Sequence, residues 1–389
     1  MPGGRGRYRG ISPYRYGCRF SGLCLALALA LTVVAGRANP AAAATQTVPS
    51  SVAADCSRDV TKALSDWIAG VPDGSTLSFA DHGCYRIDGT LLFEKRHDLT
   101  FEGNGATLKA GTDGDRDRVH LLFLGGGGIT IRDLTVKGAN AKAGATAAAY
   151  RPDRAFQHAF AFRGVDGAVL DHVAASALYG DFVYVGDDVD THEWSHDITV
   201  EHSHFDGSGR QGISVTAGDH VTIEHNVIRN VARSMFDLEP NSDGGGAKQI
   251  TIADNVTGRA TNFWIASKGS SDALGNITVR DNVMQQPTGG LIWVYGVLPD
   301  YRGPFTITGN TLRTTGEVND EETKGAFFFA RCDGVTISGN KVLLPSGGGM
   351  PVVEVRDSRH VELASNNVIR NGGTRVLDTS PAFPTPDQR

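Results

Sequence analysis

One six-residue pattern returns ten times between Leu99 and Asn366: LTFEGN, ITIRDL, AVLDHV, ITVEHS, VTIEHN, ITIADN, ITVRDN, FTITGN, VTISGN and VELASN. Its sixth residues are Asn104, Leu134, Val173, Ser203, Asn226, Asn255, Asn282, Asn310, Asn340 and Asn366, spaced 30, 39, 30, 23, 29, 27, 28, 30 and 26 residues apart. Within each copy apolar residues alternate and then stop at a polar turn, which is strand periodicity and not helix periodicity. A unit of strand, Asn-bearing turn, second strand and variable loop buries little surface alone. Stacked copies share one long core, so the repeat predicts about ten coils of a solenoid. Asn recurring at one turn position predicts an internal ladder, each amide bonding its neighbours above and below.

The repeat resembles the right-handed parallel β-helix of the pectin lyase-like superfamily over roughly residues 75–380. The resemblance implies an all-β, single-stranded right-handed parallel β-helix. It also implies a field of polysaccharide lyases, glycoside hydrolases, uronan epimerases and phage or adhesin fibres, among which fold alone does not choose. The expected organisation is a secretory signal at 1–44, an N-terminal segment with a capping helix at 45–80, the β-helix at 81–380 and a tail at 381–389.

The signal is read from Arg5, Arg7, Arg9, Arg15 and Arg19 ahead of an apolar run from Leu23 to Ala35, with Ala42, Ala43 and Ala44 as a small-residue cleavage region. The run is short for a membrane span, and export to the cell exterior is the expectation. Residues 1–44 hold six of the 37 basic residues and none of the 43 acidic ones, so the remaining chain carries 31 against 43. That acidic balance argues against nucleic acid and anionic membranes as partners, both of which reward clustered Lys and Arg. It leaves local basic patches for an acidic sugar, and a monomer is expected.

Cys56 opens an amphipathic segment, Cys56 to Gly70, with Val60, Leu64, Trp67 and Ile68 at helical spacing, and Cys84 opens the first strand-like segment. In an exported chain these two cysteines are expected to pair and fasten a capping helix to the open end of the solenoid. Cys332 is left over and reads as core filling. An Ala/Gly-rich insertion from Gly138 to Gln157 accounts for the 39-residue spacing, and it reads equally as the border of a groove or as a solvated loop.

The functional signal is densest in GRQGISVTAGDHVTIEHNVIRNVARSMFDLEPN, residues 209–241. Strand alternation sends Asp237 and Glu239 to the face opposite Phe236 and Leu238, outward from the core. Aligning the strands FVYVG, GISVT, MFDLE, NFWIA, LIWVY, FFFAR and VVEVR gives an outward row of Tyr184, Ser214, Asp237, Trp264, Trp293, Phe328 and Glu354. The neighbouring row is Gly186, Thr216, Glu239, Ala266, Tyr295, Ala330 and Arg356. Outward aromatics beside carboxylates suit a sugar polymer, whose apolar faces pack on rings. Two carboxylates are what hydrolysis of a glycosidic bond needs, one as acid and one as base or nucleophile. Arg210, Gln211 and Lys268 are expected to orient substrate, with Tyr184, Trp264, Trp293 and Tyr295 as platforms.

The set YGD, GRQGIS and DLEPN resembles a pattern shared by many secreted bacterial right-handed β-helix proteins, and it implies Asp181, Arg210, Gln211, Asp237 and Glu239 as site residues. The GHG, RIK and NTD triplets of polygalacturonases are absent, as is the DPH motif of alginate epimerases. Glycoside hydrolysis with Asp237, Glu239 and Asp181 is therefore the expected chemistry, with no required cofactor. The residues leave open a lyase or epimerase using Lys268, Tyr184 or His204 as base, and a non-catalytic glycan-binding or cell-surface solenoid. His192-Glu193-Trp194-Ser195-His196 is a literal HExxH, but strand residues follow it almost at once, leaving no room for the helix that makes it a zinc motif. Asp187, Asp188 and Asp190 in the same loop form a weak calcium candidate. His172, His202, His204 and His225 lie at turns, where a structural role is expected.

Overall fold

The computed structural model describes residues 44–240, 244–269, 273–296, 300–318 and 324–380; the expected signal and C-terminal tail lie outside them. The strands form a 22-stranded and a 12-stranded sheet, parallel in every pairing, wound as a right-handed parallel β-helix. Each coil contributes three strands, not the two expected from the repeat. Ser195–Glu201, His204–Ser208 and Ile213–Val215 make one coil, and Ala217–Glu224, Val227–Val231 and Phe236–Leu238 stack on it. The parallel pairing begins before residue 81, with Thr45–Thr47 on Thr76–Ser78.

The repeat motif explains the corner between the first two strands. Its fifth residue is Asp133, His172, His202, His225, Asp254 or Asp281, each with φ between 48° and 57°. Asp, Asn and His tolerate this left-handed region best among residues with a side chain. The sixth residue then turns inward. Asn226, Asn255, Asn282, Asn310 and Asn340 are buried, and each backbone N–H donates to the next side-chain Oδ1 at 2.9–3.0 Å. The final rung is Asn367, not the expected Asn366, whose Oδ1 instead accepts Gly339 N–H. Nor does Asn104 join, because its amide donates sideways to Phe79 O. Ser203 replaces Asn at the start of the ladder, accepting Val173 N–H at 3.1 Å.

At the N-terminal end lies a helix, Thr61–Gly70, whose Leu64 and Ile68 enter the common core one turn apart. Asp59 receives the Thr61 N–H and hydroxyl at its start. Trp67 meets Phe79 edge-on, and Arg96 holds the last turn through Ile68 O and Val71 O. Cys56 and Cys84 are disulfide-bonded with Cα atoms 5.0 Å apart, although Cys56 sits in the strand Asp55–Asp59 before the helix. Cys332 is free and buried. Among the described residues no helix is long and apolar enough to cross a membrane.

Candidate functional site

The outward row is fixed by the pairings Tyr184 with Ser214, Ser214 with Asp237, Asp237 with Ala266, Ala266 with Trp293, Trp293 with Phe328 and Phe328 with Glu354. Trp264 is therefore not a groove residue. It is fully buried in the core, edge-on to Phe236, because the strand is set two residues further along than the sequence alignment placed it. The same shift brings Lys268 into register beside Glu239, where Ala266 was expected. Trp293 lines the cleft but is only 4% exposed, with Phe263 and Phe328 stacked on either side and Lys268 Nζ 5.7 Å from its ring centre. It cannot offer a free ring face to a sugar. Tyr295 remains exposed beside it.

Just ahead of this row runs a second column, His158, Asp181, Gln211 and Ser234, which forms a polar ladder of its own. Asp181 N–H donates to His158 Nδ1 at 3.0 Å, Gln211 N–H to Asp181 Oδ1 at 2.8 Å, and Ser234 N–H to Gln211 Oε1 at 2.6 Å. The YGD and RQG triplets are thus successive rungs. Gly212 follows because a Cβ there would lie 2.3 Å from Met235 O on the next coil. The ladder ends where Phe263 takes the column position after Ser234.

These rungs set the state of the carboxyl groups. Asp181 is fully buried, and both its oxygens accept: Oδ2 from Arg210 at 2.5 Å and Ser214 Oγ at 2.8 Å, Oδ1 from Gln211 N–H. Burial pushes this carboxyl above its usual range, while Arg210 and the hydrogen bonds from Gln211 N–H and Ser214 oppose the shift. Burial works against the Arg210 charge too, but Asp181 and Asp237 outweigh it and hold the guanidinium more firmly protonated. Asp181 thereby anchors Arg210, Gln211 and Ser214 through its two oxygens. Asp237 differs. It accepts one side-chain bond, from Gln211 Nε2 at 3.1 Å, and burial together with the Glu239 charge pushes its carboxyl well above the usual range.

Asp237 and Glu239 line a cleft of about 360 Å³ with Gln211, Arg233, Asn262 and Lys268. A second cleft of about 350 Å³ lies on the coils before it, lined by Phe156, His158, Arg163 and Tyr184. Tyr184 lines this second cleft, its ring stacked on His158 at 4.8 Å and its hydroxyl accepting from Thr216 Oγ1 at 2.9 Å. His158 is buried, which drives its pKa well down, and because Nδ1 accepts a backbone N–H the neutral ring carries its proton on Nε2. The insertion borders the groove. It brings Phe156 under Arg116 and Arg210, and Tyr150 under Arg233. Phe156, His158, Arg163 and Ser234 were missed from sequence; the alignment of HAF, DFV and QGI would have disclosed His158.

The HExxH segment is a loop running into the strand Ser195–Glu201, with Ser195 buried against Gly186 O. Asp188 spends an oxygen on the N–H groups of Asp190 and Thr191, and Asp187 faces His192 at 3.4 Å. Among the described residues, the acids and histidines that converge to ligand spacing are Asp171, His172 and His202, on the far corner of the coil. Asn255-Val256-Thr257 and Asn276-Ile277-Thr278 both match the glycosylation acceptor pattern; Asn255 is a buried ladder rung and Asn276 is exposed.

A family profile described as periplasmic copper-binding protein (NosD) matches residues 179–380, more than half of the chain. The chain belongs to the NosD family. No curated protein sequence matches it. The fold is shared with several solved β-helix proteins. The surface adhesin PfbA of Streptococcus pneumoniae is 13% identical over 86% of this chain and 94% of its own, with a TM-score of 0.55. A polygalacturonase from Erwinia carotovora ssp. carotovora is 14% identical over 88% and 98%, with a TM-score of 0.54. The tailspike of E. coli bacteriophage HK620, solved with a pentasaccharide, is 10% identical over 83% and 61%, also at 0.54. At these identities the likeness shows the fold alone, so the NosD membership and the groove chemistry are separate findings.

Proposed function

We propose that this NosD-family chain is an exported glycoside hydrolase that cleaves a polysaccharide along the groove face that carries the two clefts. One observation carries the reading: Asp237, a carboxyl kept protonated by burial and by Glu239, lines a cleft while Gln211 fixes its orientation. A protonated carboxyl beside an ionised one is the pair that glycosidic cleavage requires. Asp237 gives its proton to the leaving glycosidic oxygen as the bond to the sugar carbon breaks. Glu239 takes the proton of the water that attacks that carbon. Asp181 and Arg210 hold the coil beneath them, and His158 Nε2–H and the Phe156 ring face the neighbouring saccharide unit. The polygalacturonase and the tailspike support a glycan as partner through their own substrates and ligands. The family description names copper, but these groove groups are carboxyl, amide and guanidinium, with His158 Nδ1 already bonded; that donor set does not fit a soft or borderline metal, and the groove chemistry is derived without one.

The test is to incubate the purified full chain with a panel of neutral and acidic polysaccharides, following new reducing ends and the ultraviolet absorbance of unsaturated products. Hydrolysis predicts reducing ends without unsaturation. Asp237→Asn and Glu239→Gln should each lower the rate by roughly 10²- to 10⁴-fold while melting no lower than the parent, and Phe156→Ala should weaken binding more than it slows cleavage. Unsaturated products would replace the reading with a lyase, and tight binding without turnover would replace it with a glycan-binding solenoid such as an adhesin.

A further inference from the structure

This acidic chain turns a basic face to solvent along its 12-stranded sheet. From Thr107–Lys109 to Val368–Arg370, ten stacked strands of that sheet carry six cations, Lys109, Lys137, Arg229, Arg313, Lys341 and Arg370, against one acid, Asp206. Asp206 is already bonded to Asn230 Nδ2 at 2.7 Å. Elsewhere on the solenoid surface, neighbouring carboxylates neutralise the cations: Glu102 lies 3.2 Å from Arg132, Asp254 2.8 Å from Arg280 and Asp333 3.0 Å from Arg359. Among the described residues, none of the six cations on the sheet face is in an ion pair. Arg229 instead reaches over Gly258 to Gln285 Oε1, at 3.1 Å.

A trough marks the C-terminal end of this face. Register places Arg313, Leu343 and Arg370 in one row and Thr311, Lys341 and Val368 in the next. These six residues line a concavity of about 230 Å³. Leu343 and Val368 are 39% and 53% exposed there. Stacked strands lie ~4.8 Å apart, so two arginines flank one apolar side chain on adjacent coils.

We propose that this trough, with the basic strands leading to it, is a docking surface for an anionic polysaccharide, separate from the groove. A pyranose rests its apolar face on Leu343 and Val368, and its carboxylate takes charge-assisted hydrogen bonds from Arg313, Lys341 and Arg370. Two rival anions fit less well. Single-stranded nucleic acid is held by bases stacked on aromatic rings, and Phe205, the one Phe, Tyr or Trp on these ten strands, is fully buried. An anionic bilayer presents a plane of headgroups, which does not fill a trough. The groove strand Phe236–Leu238 belongs to the other sheet, so the docking surface and the acid pair occupy different faces of the solenoid.

The test follows binding of the full chain to immobilised polygalacturonate and alginate by biolayer interferometry, with dextran as the neutral control and single-stranded DNA and phosphatidylglycerol vesicles as rival anions. Both polyuronates should bind, dextran should not, and added salt should weaken binding as the charges are screened. The triple variant Arg313→Gln, Lys341→Gln and Arg370→Gln should melt like the parent and lose roughly 10-fold in affinity, three exposed charge contacts at a few-fold each. Arg132→Gln, Arg280→Gln and Arg359→Gln together remove the same formal charge and should leave affinity nearly unchanged, because carboxylates already neutralise those cations. Leu343→Ser with Val368→Ser should weaken binding without altering its salt dependence. Equal losses in the two triple variants, an unaffected first triple, an unaffected Ser pair, or tighter binding of the DNA or the vesicles than of the polyuronates would each overturn the assignment. No arm reads turnover, so the docking surface and the hydrolase reading fail separately.

Discussion

Replacing Asn282 by Leu should destabilise the solenoid from its middle, and the size of the effect follows from the bonds of that rung. Asn282 Nδ2 donates to Ile252 O, Arg280 O and Asn310 Oδ1, all at 2.9 Å, while its Oδ1 accepts Asn255 N–H and Nδ2 at 3.0 Å. Several partners have second bonds: Asn310 Oδ1 still accepts Asn282 N–H, and Asn255 Nδ2 still reaches Ile223 O. Asn255 N–H loses its acceptor, and Ile252 O loses its amide donor. At about 1–3 kcal/mol for each stranded group, the loss is about 2–6 kcal/mol, against which added apolar surface on Leu returns at most ~1.5 kcal/mol. Asn282→Ser should cost less, because Ser203 already serves as a rung, accepting Val173 N–H and donating to Glu201 O. Urea unfolding gives the total and hydrogen exchange of the Asn255 amide gives the local term. A Leu variant as stable as the parent, or a Ser variant less stable than Leu, would refute the ladder as the source of stability.

The raised pKa of Asp237 means that the folded state holds this proton more tightly than the unfolded chain. Its contribution is therefore complete below the unfolded value of about 3.9 and is lost as pH rises through the folded one. Asp237→Asn should accordingly melt higher than the parent at neutral pH, with the gap closing in acid; a gap independent of pH would refute the buried proton. Either Cys56→Ser or Cys84→Ser should cost ~3–4 kcal/mol, the chain-entropy value for a bridge across 28 residues, and the double variant should add nothing in thermal melts. Asp181→Asn should leave Arg210 without its charged partner and, through Gln211, loosen Asp237. It should lower both melting temperature and kcat, whereas Glu239→Gln should lower kcat alone; equal stability of the two variants would return Asp181 to a direct chemical role.

The coils, the corner residues and the outward placement of Asp237 were legible because period and turn chemistry are local properties. Register at the groove was less so. Each coil opens its groove strand with two consecutive inward residues, as in Phe182 with Val183, Met235 with Phe236, Trp264 with Ile265, and Leu291 with Ile292. This breaks the alternation that an isolated strand suggests. Read by alternation alone, NFWIA turns Trp264 outward; read by the doubled apolar start, WIASK turns it inward and brings Lys268 beside Glu239. The last ladder rung failed for a related reason, since Asn366 and Asn367 are adjacent and only stacking on Asn340 separates them. The strand that went unread is the middle one of each coil, such as His204–Ser208 or Val227–Val231, between the Asn-bearing turn and the groove strand.

What the sequence could not supply at all is the difference between two aspartates 56 residues apart in the chain and two coils apart in space. Asp181 and Asp237 have the same chemistry, and each follows a tyrosine- or methionine-bearing turn of similar composition. Their neighbours on the adjacent coils separate them. A cation and two neutral donors converge on Asp181 and oppose the upward push of burial on its carboxyl. Asp237 receives one amide and faces a like charge, so the proton stays on it, and the cleft gives that proton somewhere to go. Gln211 links the two, donating its backbone N–H to Asp181 Oδ1 and its side-chain amide to Asp237 Oδ2. The two carboxyls are thus distinguished by the number of donors each receives across coils, a property set by stacking register and absent from either motif alone.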